Sequence, residues 1–315
     1  MPVANPAPDF APHVRPGANL YTNSVIVLDA GSGQLKWYHH FTPHDGFDWD
    51  VGAPPMLFQA DSGGSTGRVA VGSKDGNVYV LDRASHNVLF TTPATTISNA
   101  DTVPTAQGVD VCPGPLGGVE WNGPAYSPQT KMIYVGAVDW CGHYTTTTNL
   151  PPGKPGELYM GTSYAPVTGQ AKGWLTAIDA NTGQVRWKFQ APEPIVAGVT
   201  PTAGGVVFNG DLDGNFYAFD AANGKVLLRY KTPGAIAGGI VTYRVRGKQY
   251  VATTSGNVSR TTFHTIGSPT LIVMALNGPA TPNVIKLPPV STTSGGSSPT
   301  EHKGEGAAKS STTGR

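Results

Sequence analysis

Short apolar–polar alternations, broken by turn residues, run along most of the chain. Val78 and Val80 alternate with polar neighbours after an Asp-Gly turn, and Phe216 and Ala218 do so after a second one. A period of two over four to eight residues predicts half-buried β-strands. The breaks are Asp-Gly and Asn-x-Gly, which supply the positive φ that tight hairpins need. The 3.6-residue period of an amphipathic helix is absent throughout.

The alternations repeat. "VGSKDGNVYVLDRASHNVLF" (71 to 90) aligns with "NGDLDGNFYAFDAANGKVLL" (209 to 228) at an offset of 138 residues. "NSVIVLDAGSGQLKW" (23 to 37) and "GWLTAIDANTGQVRW" (173 to 187) fit the same frame, ending in Trp37 and Trp187. The marker aspartates Asp29, Asp82, Asp179 and Asp220 are 53, 97 and 41 residues apart. The long middle gap holds "GPAYSPQTKMIYVGAV" (123 to 138), a hairpin-like unit without the full marker. Counting it gives a period of about 48 residues, that of a four-stranded propeller blade. Five units are visible, and the expected fold is an all-β, partial and unclosed propeller over residues 1–287. The segment 288–315 is Ser/Thr/Gly-rich, has almost no core-forming residues, and is expected to be a disordered tail.

Composition agrees. Glycine and proline make up 69 of 315 residues, about 22% against a usual level of roughly 12%. The net charge of +1 gives no electrostatic case for nucleic acid or an anionic membrane. No apolar run approaches the roughly 20 residues needed to span a bilayer. The N-terminal stretch lacks a basic start followed by an apolar run, so no signal peptide is expected in it. Cys112 and Cys141 alone do not decide between a reduced pair and a bridge.

One stretch stands out in a chain that is only 13% charged: "TPHDGFDWD", Thr42 to Asp50, with three aspartates and a histidine. Pro43, Asp45 and Gly46 are common turn formers, so a polar turn between strands is one reading. A metal or proton-transfer site is the other. His39, His40 and His44 are compact, but no cysteine or fourth ligand falls at a known zinc interval. No nucleophile elbow, phosphate loop or CxxC pair is present.

"AIDANTGQVRW" (177 to 187) resembles the tryptophan-docking repeat of the pyrroloquinoline quinone (PQQ) dehydrogenases. The blocks 5 to 50, "CPGPLGGVEWNGPAYSP" (112 to 128), 200 to 227 and "GKQYVATTSG" (247 to 256) resemble the same family over roughly residues 3 to 276. The resemblance implies the C-terminal portion, about five blades, of an eight-bladed propeller that oxidises alcohols or sugars. It implies Asp48 as general base, taking the hydroxyl proton while a hydride leaves for the quinone. It implies a Ca²⁺ ion as Lewis acid, with Asn5, Asp48 and Asp50 as oxygen ligands. Asp50 also resembles the extra aspartate of lanthanide-using members. Lys74 falls where the family sets a cation beside the quinone oxygens, and Glu120 and Trp121 fall in its cofactor-binding block. The resemblance further implies a Cys112–Cys141 disulfide, a periplasmic location and a separate electron acceptor such as a cytochrome c or a quinone. The partner at the open end would be the missing N-terminal blades or a second chain.

Three departures qualify these expectations. Glu120 stands where many members have an asparagine that contacts PQQ, and a carboxylate there opposes the cofactor's own. "SGNVSR" (255 to 260) lacks the tryptophan and glycines usual after its strand. The family's remaining metal ligand and its stacking tryptophan lie on blades outside this chain, which leaves half a site. The alternative is a non-catalytic propeller of the same repeat, acting as a protein-binding scaffold like an outer-membrane assembly lipoprotein.

Overall fold

The computed structural model describes residues 1–60, 67–150, 152–169, 171–258, 263, 265 and 267–276. The expected tail 288–315 lies outside them. Apart from one 3-10 turn, Pro12–Val14, the regular structure is β. Every sheet is antiparallel.

The first sheet joins β1 (Pro2–Val3), β2 (Ser24–Leu28) and β3 (Leu35–His40). The second joins β4 (Met56–Gln59), β5 (Gly67–Gly72), β6 (Asn77–Asp82) and β7 (Val88–Pro93). The chain then adds β8 (Val109–Val111), β9 (Ala125–Ser127), β10 (Met132–Asp139), β11 (Gly142–Thr145), β12 (Ser163–Pro166), β13 (Lys172–Asp179) and β14 (Val185–Ala191). Next come β15 (Thr200–Pro201), β16 (Val206–Gly210), β17 (Asn215–Asp220) and β18 (Val226–Lys231), which form one four-stranded sheet in that order. The last sheet holds β19 (Ile240–Val245), β20 (Lys248–Ser255) and β21 (Thr270–Ala275).

One sequence expectation is corrected here. The hairpin over 123–138 is not a blade by itself. β9 and β10 pair with β13 and β14 in a single sheet, in register from Met132–Asp179 to Asp139–Lys172. The 97-residue gap therefore holds one blade and an insertion, and the fifth blade is β19–β21. The insertion builds a small sheet, β12–β11–β8, in which a disulfide between Cys112 and Cys141 joins the end of β8 to the start of β11. A spacing measured along the chain cannot distinguish an extra blade from an inserted sheet.

Apolar faces of consecutive sheets pack against one another. Val25, Val69, Val71 and Leu81 join the first two, and Val78 and Val80 meet Ile133 and Val135 between the second and third. Tyr134 and Leu175 meet Tyr217 and Phe219, and Phe208 and Phe216 meet Ile240 and Val251. Among the described residues no strand of the first sheet pairs with the last, and no core cluster joins them.

The marker motif explains how sheets dock. Asp29, Asp82 and Asp179 each accept two backbone N–H groups of the following turn, and Asp220 accepts one. These carboxylate-capped turns place a residue of positive φ four positions on: Gly33, His86, Gly183 and Gly224. The outer strand of the preceding sheet lays an aromatic on it. Trp37 stacks on His86 at 4.3 Å, and Trp187 donates its indole N–H to Ala221 O at 3.0 Å. A Cβ at Gly183 would lie 2.5 Å from the Phe90 ring, and one at Gly224 2.6 Å from Trp187.

Candidate active site

Three connections meet beside the insertion: residues 41–55 after β3, 73–76 between β5 and β6, and 112–124 between β8 and β9. Lys74 N–H donates to Asp50 O at 3.1 Å, and Val119 N–H to Ser73 O at 3.1 Å. Gly118 has φ +83°, and a Cβ there would sit 2.3 Å from Lys74 O, so only glycine permits this approach. The Cys112–Cys141 bridge closes the third connection. Inside it, Pro113 O accepts the Trp49 indole N–H at 3.0 Å.

The first connection is organised by Asp45. Its carboxylate accepts Phe47 N–H and Trp49 N–H, both at 2.9 Å. Between them Asp48 takes φ +65°, a left-handed conformation that a non-glycine residue holds only when its surroundings impose it. Asp48 is thereby turned towards Lys74, whose Nζ lies 2.8 Å from Asp48 Oδ2 and 3.2 Å from Asp50 Oδ1. The second pair is an ion pair without hydrogen-bond geometry, because Asp50 Oδ1 is buried with no hydrogen-bond partner. The Asp48 and Asp50 side chains keep 19% of their surface exposed and Lys74 keeps 10%.

One ammonium is thus shared among several carboxylates. Burial works against the Lys74 charge, but Glu120 first, then Asp48 and Asp50, outweigh it and hold the lysine protonated well above its ordinary value. Each carboxylate receives only part of that compensation. Burial pushes Asp48 up to about 6 and Glu120 up to about 7, with Lys74 opposing both shifts.

Asp48, Asp50, Lys74 and Glu120 come together in the structure. Asn5 joins them at one remove. It lies four residues before Asp9, a carboxyl raised by burial that feels Lys74, Arg15 and Asp45. Trp121 is 44% exposed, donates its indole N–H to Ala237 O at 3.1 Å, and lines a cavity of about 420 Å³ with Gly238, Ser255 and Val258. His39 packs on the Phe41 ring, and His44 Nδ1 lies 3.0 Å from Gly17 O.

Sequence reasoning missed Asp9, Arg15 and Tyr164. Tyr164, on β12, packs on Phe10 at 4.8 Å, and its hydroxyl pKa is raised by burial and then by Asp48. The only signal for Asp9 and Arg15 was their place in the block 5 to 50, and Tyr164 had none.

A lysine among acids has a control within the chain. The sister hairpin repeats the backbone bonds: Leu212 N–H to Pro194 O at 3.0 Å and Ile236 N–H to Asp211 O at 3.0 Å. There Leu212 replaces Lys74 and packs with Val138, Val196 and Ala235. The hairpin needs no cation. The charge at Lys74 belongs to the site.

Aromatic-docked antiparallel blades, with an acid–lysine cluster held where their connections meet, define a segment of a β-propeller. Residues 1–102 match the family model "Glucose/ethanol/alcohol dehydrogenase, beta-propeller domain", and residues 171–266 match that of the outer membrane protein assembly factor BamB. Quinoprotein alcohol dehydrogenase PedH of Pseudomonas putida is 31% identical over 276 residues, covering 80% of this chain and 46% of that protein. The lanthanide-dependent methanol dehydrogenase of Methylorubrum extorquens is 30% identical over 277 residues, covering 78% and 45%. Among solved structures, a europium-containing methanol dehydrogenase superposes with a TM-score of 0.72 at 28% identity, covering 80% of this chain and 48% of that one. The chain is a relative of the quinoprotein alcohol dehydrogenases, and it spans less than half the length of these curated relatives.

Proposed function

We propose that residues 1–287 form the C-terminal part of a PQQ-dependent dehydrogenase that oxidises an alcohol or a sugar, with Asp48 as the general base. The observation that carries this reading is the Lys74–Asp48 pair at 2.8 Å, set among carboxylates and absent from the sister hairpin.

The residues fit a hard cation as one wall of its site. Asp50 Oδ1 is a buried oxygen with no hydrogen-bond partner, Asp48 lies beside it, and both are ligand types that Ca²⁺ or a lanthanide takes. Asn5, on the segment that leads to Asp9, is the third donor proposed. Among the described residues no group of three His, Cys, Asp or Glu side chains converges to hold a metal ion, so further ligands must come from elsewhere. Lys74 suits the quinone oxygens, whereas Glu120 adds negative charge against an anionic cofactor. When bound, the metal-held quinone supplies the hydride acceptor.

The chain's own residues then have distinct tasks. Asp48 accepts the substrate hydroxyl proton on a carboxylate that is half ionised near pH 6, which suits a base working near neutrality. Lys74 anchors Asp48 Oδ2 and supplies positive charge at the cofactor wall. The disulfide agrees with a periplasmic location, because such bridges persist in oxidising compartments. No helix among the described residues is long and apolar enough to cross a membrane. Electrons would leave to a separate acceptor such as a cytochrome c or a quinone, and the blades absent from this chain are proposed as its structural partner.

Titration with PQQ and Ca²⁺ or La³⁺, read by quinone absorbance, tests binding, with dye-linked alcohol oxidation run in parallel. Metal-dependent PQQ binding that weakens in Lys74→Leu is expected, and any turnover is expected to vanish in Asp48→Asn. Absence of PQQ binding with either metal would overturn the reading. The second reading, a protein-binding scaffold, is favoured by the assembly-factor match over 171–266. That span holds none of Asn5, Asp48, Lys74 and Glu120.

A further inference from the structure

Arg15 lies in the loop after the 3-10 turn and is only 9% exposed. Its guanidinium gathers oxygens from three segments. Nε donates to Pro8 O at 3.0 Å, and one terminal nitrogen donates to Asp9 O at 3.3 Å and to Asp45 O. The other terminal nitrogen donates to Asn19 Oδ1, and Asn19 Nδ2 donates back to Arg15 O at 3.1 Å. Pro8 and Asp9 continue the segment that carries Asn5. Asp45 opens the connection whose carboxylate captures the amides on either side of Asp48. The far side of the first segment is also tied: Phe10 N–H donates to Met160 O at 2.9 Å, and Thr162 Oγ1 to Phe10 O at 2.7 Å.

The geometry points to Arg15 as a positioning residue: it clamps the Asn5–Asp9 segment to the Asp45–Asp50 connection and so fixes the two groups of oxygen donors relative to one another. Neither segment is part of a strand there, so no sheet ladder holds them together. A planar guanidinium reaches acceptors in several directions at once, whereas a lysine ammonium is a point charge on a flexible stem. Arg15 touches neither Asp48 nor Lys74 directly, and its effect passes through the backbone. The clamp itself stands on hydrogen bonds, and only its consequence for metal binding rests on the proposed function.

Amide hydrogen exchange of the purified chain separates the two. In Arg15→Lys, exchange at Phe10, Phe47 and Trp49 is expected to rise about tenfold together, as for losing hydrogen bonds to a charged group. β5 and β6 should keep the wild-type rate. Unchanged exchange at Phe47 and Trp49 overturns the clamp, and so does a uniform rise that includes β5 and β6. Asp45→Asn should loosen Phe47 and Trp49 while leaving Phe10 protected, and loosening of all three overturns the assigned route. If Arg15→Lys fails to fold, Asn19→Ala removes one guanidinium acceptor and permits the same comparison, with a smaller rise expected. Tb³⁺ luminescence excited through Trp49 reads the donors. The expected Kd is about tenfold weaker in Arg15→Lys, and equal affinity in both proteins refutes donor positioning. A wild type that binds no Tb³⁺ overturns the metal reading and the donor-positioning consequence with it, and the exchange data still decide the clamp.

Discussion

At the residue scale, Lys74 and Leu212 show one backbone carrying opposite chemistries. Removing Lys74 alone leaves Asp48, Asp50 and Glu120 buried together without their cation. Lys74→Leu should therefore destabilise the fold by about 3–5 kcal/mol, measured by denaturant unfolding at pH 8. Adding Glu120→Ala, which copies the apolar sister hairpin, should recover part of that loss; no recovery would mean the two hairpins are not interchangeable. The raised carboxyls set a pH dependence. A carboxyl whose folded pKa exceeds its unfolded value binds more protons when folded, so its contribution to stability falls as pH rises through that window. For Glu120 the window runs from its ordinary value of 4.5 up to about 7. Glu120→Gln should accordingly gain stability relative to wild type between pH 5 and pH 8. Any turnover should lose rate below about pH 6, as Asp48 becomes protonated. Asp48 and Asp50 were legible because they sit in one dense local motif, and Lys74 only through the family resemblance. Arg15 and Asp9 were not, because their roles depend on oxygens of other segments, as with Asp45 thirty residues on from Arg15.

At the element scale, the docking turns act as sockets. Gly33, Gly183 and Gly224 share φ between +72° and +76°, yet only the last two face an aromatic ring, and a Cβ at Gly33 meets nothing within 4 Å. All three should lose about 1–2 kcal/mol on substitution by alanine from backbone strain. Gly183→Ala and Gly224→Ala should lose more, through the clash with Phe90 and Trp187. Equal losses at all three, measured by chemical denaturation, would show that the ring contacts contribute nothing. The disulfide closes a separation of 29 residues, and opening it should cost about 3–4 kcal/mol in the chain-entropy model. Because Pro113 O holds the Trp49 indole, reduction should also change Trp fluorescence before global unfolding. The turn-and-strand pattern was readable from alternation and from the Asp-Gly and Asn-x-Gly breaks. Which hairpins share a sheet was not, because β10 finds β13 across an inserted sheet.

At the scale of the whole molecule, the first sheet has no neighbour on its outer side and its socket at Gly33 is empty among the described residues. Leu28, Leu35 and Tyr38 of that sheet, and Val241, Leu271 and Val273 of the last, are exposed. Open apolar ends of this kind recruit partners or self-associate. Sedimentation velocity should show concentration-dependent association that weakens when Leu35 and Val273 are made polar. A strictly monomeric chain at all concentrations would contradict this.

The all-β class, the blade repeat and the aspartate-rich stretch holding Asp48 and Asp50 could be read from the chain alone. Each of these rests on a short period or a motif within a few residues, where backbone sterics and side-chain alternation act directly. It took the packed fold to show that two distant hairpins share a blade, that Trp121 donates its indole N–H to Ala237 O, and that Arg15 ties two unpaired segments together. Those facts depend on which buried polar groups find partners across long stretches of chain, and satisfying a buried hydrogen bond is a property of the packed molecule.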